Sequence, residues 1–245
     1  MHAAGLYESH ERGTKTYEYI ASSYTPTLSV LADANVSLSL EPEPFKGILA
    51  VSQPNVEGQP PIPQTVDEVE ALRKAVGDTV PLQWLNGANA TKEAVLAGMK
   101  SSTWVHLACH ARQYPLRTSE SAFMLANGEE LSLADISEHD YASGELAFLS
   151  ACQTAAGDFD LSEEGVHLAA GMLVAGYRSV IATTWSVRDQ DAPVVAEAVY
   201  RRLLDGGQVN RTGTTLALHH ATRLLREQVG EDQFMRWAPF IHLGI

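Results

Sequence analysis

Short apolar segments with strand-like composition alternate with amphipathic, helix-like segments along most of this 245-residue chain. Residues 47–52 form a continuous apolar run that stops before Pro54, and residues 178–185 form another that is rich in β-branched side chains. Between them, residues 66–76 place apolar side chains at helical spacing with charges in between. Such alternation predicts an α/β fold with a mainly parallel sheet and helices on both faces.

The remaining segments extend this pattern over the chain. Further strands are predicted at 17–24, 80–85, 104–109, 122–125, 145–151 and 239–243, and further helices at 27–34, 92–100, 132–138, 164–175, 193–204 and 212–229. Thr91 is expected to cap the start of one helix, and Gly176 to stop another at its C-terminus. Residues 55–63 contain three prolines and one glycine and therefore predict a surface loop.

Composition narrows the function classes. The formal net charge is -13, and the longest basic feature is the pair Arg201-Arg202, so nucleic acid and anionic membrane surfaces are not expected as partners. No segment approaches the roughly 20 apolar residues of a membrane helix, and no signal peptide is expected. Two cysteines, Cys109 and Cys152, are too few for a secreted disulfide framework, which predicts reduced thiols and a cytoplasmic protein.

Two of the predicted strands end in reactive side chains. The segment 104–109 leads into His110, and the segment 145–151 leads into Cys152. Ligand sites in open parallel sheets lie beyond the carboxyl ends of the strands, and consecutive strands tend to be neighbours. We therefore expect the imidazole and the thiol to face each other, as thiol catalysis requires, because a nearby histidine activates the nucleophilic sulfur.

Other interpretations of these residues are available. Taken alone, Cys152 is also compatible with a buried structural thiol, and His110 with a hydrogen-bonded loop histidine. A zinc site built from His106, Cys109, His110 and Cys152 is disfavoured, because strand alternation places Cys109 on the opposite face and no Cys-x-x-Cys pair exists. We therefore predict no metal and no cofactor. Serine-hydrolase, phosphate-loop and dinucleotide-binding motifs are absent as well.

Four blocks of the sequence resemble the CHAT domain. Residues 106–113 (His-Leu-Ala-Cys-His-Ala-Arg-Gln) and 149–158 (Leu-Ser-Ala-Cys-Gln-Thr-Ala-Ala-Gly-Asp) are similar to its two signatures, and residues 165–176 and 179–191 match it too. The resemblance implies a single caspase-like and separase-like domain over residues 1–245, of a family often fused to tetratricopeptide repeats. The implied fold is a caspase-haemoglobinase-like, mostly parallel sheet. The family usually has a strand before His-Ala-Ala-Gly, so we expect that most N-terminal strand to be missing.

The resemblance also implies a role for each site residue. Cys152 would be the nucleophile, His110 the general base and acid, and the backbone N–H groups of Cys152 and Ala111 the oxyanion hole. The family commonly has glycine where this chain has Ala111, which resists a positive φ. Asp189 or Asp191 would lie in the S1 pocket and bind a basic P1 side chain, as in a similar separase loop. The alternative is that Asp189 or Gln190 caps the helix that begins near Asp191.

Two functions follow as hypotheses. The first is a caspase-like cysteine endopeptidase that cleaves a protein or peptide substrate after a basic residue and has a regulatory partner protein. The alternative is a non-catalytic interaction or signalling module that keeps the fold. Ala111 is the observation that favours this alternative, since a fold does not by itself imply a function.

Overall fold

The structure of the chain is a computed structural model that describes residues 2–5, 7, 13–27, 29, 43–78, 80–112, 114, 117–139, 141, 143–153 and 164–245. The predicted helix at 27–34 lies almost wholly outside these residues. Within the described part, eight strands belong to one sheet. The strands β1 to β8 are Ile48–Ser52, Leu82–Asn86, Trp104–Arg112, Ala122–Met124, Glu130–Ser132, Leu146–Gln153, Ser179–Thr183 and Phe240–Gly244.

The main path of the sheet runs in the order β2-β1-β3-β6-β7-β8. All neighbours from β2 to β7 are parallel, and β8 closes the sheet antiparallel to β7. The hairpin of β4 and β5 pairs with the last residues of β3. The predicted mostly parallel sheet is therefore confirmed.

Helices cover both faces of this sheet, as the alternating pattern predicts. The helices are α1 Gln64–Val76, α2 Lys92–Ser101, α3 Leu133–Ser137, α4 Glu164–Val174, α5 Ala192–Leu203, α6 Thr214–Val229 and α7 Phe234–Trp237. One apolar core joins the sheet to α2, α3 and α4, and a second joins its other face to α1, α5 and α6. Among the described helices, none combines the length and apolarity that crossing a lipid bilayer requires.

Local sequence signals account for several element boundaries. The Thr91 hydroxyl accepts the Ala94 N–H at 3.3 Å, which confirms the predicted cap of α2. A capping box starts α3, where Ser132 and Asp135 accept each other's backbone N–H. Helix α4 ends just before Gly176, whose φ of +116° is disfavoured for residues with a Cβ, so the predicted glycine stop is confirmed.

The prediction of a strand at residues 17–24 is wrong, because this segment forms no ladder. The chain forms a 3-10 turn at Thr16–Glu18, and Tyr24 makes a single isolated bridge, to Leu243 of β8. Tyr24 exchanges two backbone hydrogen bonds with β8, and the Tyr17 ring packs edge-on against Trp237, with ring centroids 5.6 Å apart. A single bridge and side-chain packing therefore hold this segment, and no ladder forms along it. Strand β5 and helix α7 have three and four residues, too few for a periodic pattern.

The buried His242 links β8 by hydrogen bonds to Ser23, to Ser179 of β7 and to Thr215 of α6. Ser23 donates its O–H to the Gly244 carbonyl and lies 2.7 Å from Nδ1 of His242, so Ser23 accepts from Nδ1. The other ring nitrogen, Nε2, then accepts from the Ser179 hydroxyl, also at 2.7 Å. A second hydroxyl, that of Thr215, lies 3.1 Å from Nδ1. Burial lowers the pKa of His242 from 6.5 to about 4, so the imidazole is neutral in the fold.

This histidine makes stability depend on pH. Its pKa is lower in the folded chain, so the unfolded chain takes up the proton first as the pH falls. The contribution is fully present above pH 6.5, and acidification to about pH 4 removes roughly 3 kcal/mol. Urea unfolding at steps of pH should show this loss. His242→Gln should reduce the loss, whereas the partly exposed His220→Gln on α6 should retain it; equal pH slopes for all three proteins would contradict the assignment.

Candidate active site

The parallel pairing of β3 with β6 brings the two reactive positions together. Their register runs from Trp104 opposite Leu146 to Ala111 opposite Gln153, and it places His110 directly opposite Cys152. Directly opposed positions of a parallel pair share one face of the sheet. The positions 110 and 152 therefore meet at the carboxyl edge of the sheet, next to each other.

His110 is held in one tautomer. Its ring is fully buried, and Nε2 lies 2.8 Å from the carbonyl oxygen of Pro60. A carbonyl only accepts, so the proton is on Nε2 and the lone pair is on Nδ1. Nδ1 makes no hydrogen bond to any group in the described part of the chain. The imidazole thus presents a free base nitrogen. Pro60 could not be predicted as its partner from the sequence, because the contact is made by a backbone carbonyl.

Ala111 continues β3 beyond the histidine. It is paired with Gln153 of β6 and Phe123 of β4, and it is almost fully buried. Among non-glycine residues of the described ranges, a positive φ occurs only at Asn127. Ala111 therefore has a backbone that alanine adopts without strain, and its side chain is no obstacle to the local conformation.

Asp189 contacts the start of α1. Its Oδ2 accepts the backbone N–H of Gln64 at 3.3 Å, so Asp189 caps α1 and not the helix that follows it in the chain. The N-cap position of α5 is Asp191, whose side chain makes no capping hydrogen bond. Partial burial raises the pKa of the Asp189 carboxyl, and the nearby Glu68 and Asp67 raise it further. The Gln64 N–H and the His110 ring act in the opposite direction.

Asp191 is committed to an ion pair. Its buried carboxylate accepts from Nε and Nη2 of Arg236, at 2.9 and 2.5 Å, in a two-point arrangement. A second link joins the same loop to α7, because the indole N–H of Trp185 donates to the Met235 carbonyl at 3.0 Å. Of the two predicted S1 carboxylates, Asp191 is thus neutralised by Arg236. Asp189 forms no ion pair with any cation in the described part of the chain.

A set of buried polar side chains lies on the same face, beneath the histidine. His106 is fully buried, as predicted for a core histidine, and its ring packs on Phe148 with centroids 4.7 Å apart. Its partner Glu68, on α1, is a buried carboxylate that sequence periodicity did not single out. Cys109 belongs to the core on the opposite face, so the four conceivable zinc ligands do not converge. In the described ranges, no three His, Cys, Asp or Glu side chains are grouped as metal ligands.

The sheet order, the antiparallel closing strand and the helices on both faces define a caspase-like fold. A family model described as the CHAT domain matches residues 3–245. The chain belongs to the CHAT domain family. Among curated proteins, none matches this chain.

Solved structures share the fold at low sequence identity. The Arg specific cysteine proteinase gingipain R of Porphyromonas gingivalis has a TM-score of 0.58 and 14% identity, over 89% of this chain and 51% of that chain. Saccharomyces cerevisiae separase, in its complex with securin, has a TM-score of 0.61 and 16% identity, over 92% of this chain and 14% of that chain. The chain thus spans about half of the gingipain chain and a small part of separase.

The ion pair between Asp191 and Arg236 should hold the loop that carries Asp189. Arg236→Met leaves a buried carboxylate without its partner, so the melting temperature should fall and amide exchange should accelerate over residues 184–191. The exposed Arg188→Met, on the same loop, is the matched control and should behave like the native protein. The double variant Asp191→Asn, Arg236→Met should be less destabilised than Arg236→Met. An unchanged melting temperature and exchange pattern in Arg236→Met would show that the pair does not hold the loop.

Proposed function

We propose that this CHAT domain is a cysteine endopeptidase whose catalytic pair is Cys152 and His110. The observation that carries the proposal is the register of β3 and β6, which sets the two positions opposite each other. The hydrogen bond from Nε2 of His110 to the Pro60 carbonyl supports it further. It keeps the lone pair on Nδ1, where a general base needs it, and it stabilises the imidazolium that forms after proton transfer.

The proposed reaction proceeds through an acyl-enzyme. His110 Nδ1 takes the thiol proton of Cys152 while the sulfur attacks the scissile carbonyl carbon. The backbone N–H groups of Cys152 and Ala111 stabilise the negative charge on the carbonyl oxygen. The imidazolium returns the proton to the leaving amine as the C–N bond breaks. A water molecule, deprotonated by His110, then attacks the thioester, and release of the carboxyl product restores the thiol.

The proposed substrate has a basic residue before the scissile bond. Asp189 supports this choice, because its carboxylate is close enough to His110 for an electrostatic interaction and has no cationic partner in the described part of the chain. The neighbouring carboxylates Glu68 and Asp67 create a negative potential there, which a Lys or Arg side chain would neutralise. Gingipain R, described as Arg specific, shows that this fold can host such a preference.

The biological setting forms part of the same proposal. We infer a protein or peptide substrate in the cytoplasm, proteolysis in a signalling context, and control by a regulatory partner protein. Separase, whose structure contains securin, is a protein of this fold that binds a protein partner. The net charge of -13 supports a protein partner over nucleic acid or an anionic membrane.

The nucleophile can be identified by labelling and by loss of cleavage. An arginyl chloromethyl ketone should alkylate Cys152, because the pair activates this thiol, and Cys152→Ala should abolish cleavage of a broad peptide library between pH 6 and 9. Peptide mapping by mass spectrometry provides an internal control, since the buried Cys109 should stay unmodified. A folded native protein that neither cleaves nor reacts would refute the proposal. Partner binding that survives Cys152→Ala would then support the non-catalytic module.

The S1 assignment can be tested by comparing peptides with arginine and with the neutral isostere citrulline at P1. Asp189→Asn keeps an acceptor for the Gln64 N–H but loses the charge, so the arginine preference in kcat/KM should fall roughly 10- to 100-fold. The pKa of Asp189 is raised, so in the native protein the preference should decline on acidification at a higher pH than an ordinary aspartate would give.

The exposed Asp67→Asn is the matched control for this comparison. It removes a charge that raises the pKa of Asp189, so the arginine preference should persist and its acid limb should move to lower pH. The ratio of the two substrates cancels the titration of the catalytic pair itself. A preference for arginine that survives in Asp189→Asn with the same pH dependence would rule out Asp189 as the S1 carboxylate.

A further inference from the structure

A chain of buried polar groups lies under the catalytic positions and takes no part in the proposed chemistry. Glu68 of α1 accepts the Ser150 hydroxyl through Oε2 at 2.9 Å. Its other oxygen, Oε1, lies 3.1 Å from Nε2 of His106, and Nδ1 of His106 lies 3.1 Å from the Tyr200 hydroxyl. All four side chains are at least 95% buried. The groups join α1, α5 and the two strands β3 and β6.

The burial of Glu68 calls for an explanation. Glutamate is almost never fully buried unless it is paired, and the side chain of Glu68 is only 2% exposed. The Ser150 hydroxyl donates to its Oε2. The His106 contact is within ion-pair distance but lacks the alignment of a hydrogen bond, and neither Oε1 nor Nε2 has another partner in the described ranges. An apolar side chain would fill this place at lower cost.

The location of Glu68 links it to both catalytic strands. Ser150 precedes Cys152 by two residues in β6, and His106 precedes His110 by four residues in β3. Residues separated by an even number of positions in a strand lie on the same face. Ser150 therefore shares a face with position 152, and His106 shares a face with position 110. One carboxylate therefore contacts the strand of the nucleophile and the strand of the base, directly behind the two positions.

The helix that carries Glu68 also positions the rest of the site. Its first residue, Gln64, donates its N–H to Asp189, one turn before Glu68. The loop that enters this helix contains Pro60, whose carbonyl fixes the tautomer of His110. A shift of α1 relative to the strands would displace both contacts together. The polar links of Glu68 are the contacts that resist such a shift at the level of the active site.

We propose that Glu68 is a positioning residue for the His110–Cys152 pair: it locks α1 onto β3 and β6 so that the Pro60 carbonyl and Nδ1 of His110 are in place. The inference rests on the proposed function for its effect on turnover. Its effect on the state of the Cys152 thiol does not need a substrate. Glu68 does not touch the reacting atoms; it acts through Ser150, His106 and the helix.

The test compares Glu68→Gln, Ser150→Ala and the double variant with the native chain. Glu70→Gln is the matched control, because Glu70 lies on the same helix and pairs with Arg73 at the surface. For each protein, kcat and KM are measured on an arginine-P1 peptide, the alkylation rate of Cys152 by iodoacetamide is followed against pH by peptide mapping, and the melting temperature is recorded.

The expected result is a loss in kcat with a smaller change in KM. Misplacement of catalytic groups by about 1 Å can cost about 100-fold, so Glu68→Gln should lower kcat on the order of 10- to 100-fold. Its alkylation profile should move toward that of an ordinary thiol. Ser150→Ala should lower kcat by a smaller factor. The double variant should have the same kcat as Glu68→Gln, because the two single substitutions remove the same hydrogen bond between Ser150 and Glu68. Glu70→Gln should match the native protein.

Three outcomes would overturn the inference or separate it from the proposed function. A lower melting temperature in Glu68→Gln with native kcat and native alkylation would make Glu68 merely structural. If Glu68→Gln does not fold, Ser150→Ala decides, and native kcat and alkylation in that variant would overturn the inference. If the native protein cleaves nothing, the proposed function fails. The positioning role is then decided by alkylation alone. Identical alkylation profiles of Cys152 in the native protein and in Glu68→Gln would reject it.

Discussion

The pairing of β3 with β6 is the constraint on which the site depends. Eight consecutive positions are paired in parallel, and the last two pairs are His110 with Cys152 and Ala111 with Gln153. A slip of one residue would move position 152 to the opposite face of the sheet. Both faces of β3 are buried, with Trp104 in one core and Val105 in the other. A slip of one residue would move the side chains of one core into the other, where they do not fit. The apolar packing thereby fixes the geometry of the two polar positions.

Helix α1 is the second determinant, because three features of the site converge on it. The loop before it supplies the Pro60 carbonyl, its first turn receives Asp189, and its buried face carries Glu68. Its apolar residues at 66, 69, 72 and 76 explain why it lies against the sheet and α5, but they do not reveal this role. Glu68 is buried next to Val69, but its position in the sequence does not distinguish it from the exposed charges of an amphipathic helix.

The parts of the structure that the sequence predicts are those set by local pattern and by general topology. Apolar runs mark β3, β6 and β7, and the run of β7 is rich in β-branched side chains. The rule that parallel strands end at one edge then brings His110 near Cys152. The contacts that complete the site join residues far apart in the chain. Pro60 lies fifty positions from His110, and Arg236 lies forty-five from Asp191, so neither has a local signal.

Electrostatics connects the substrate proposal to the state of the catalytic pair. Burial raises the pKa of Asp189 by desolvation, and the nearby carboxylates Glu68 and Asp67 raise it further. The negative potential of these two carboxylates favours a cation nearby. Under the proposed function, the proton of the Cys152 thiol moves to Nδ1 of His110 as the sulfur attacks. The bond from Nε2 to the Pro60 carbonyl is then the essential contact, because it provides both the tautomer that accepts this proton and the dipole that stabilises the resulting charge.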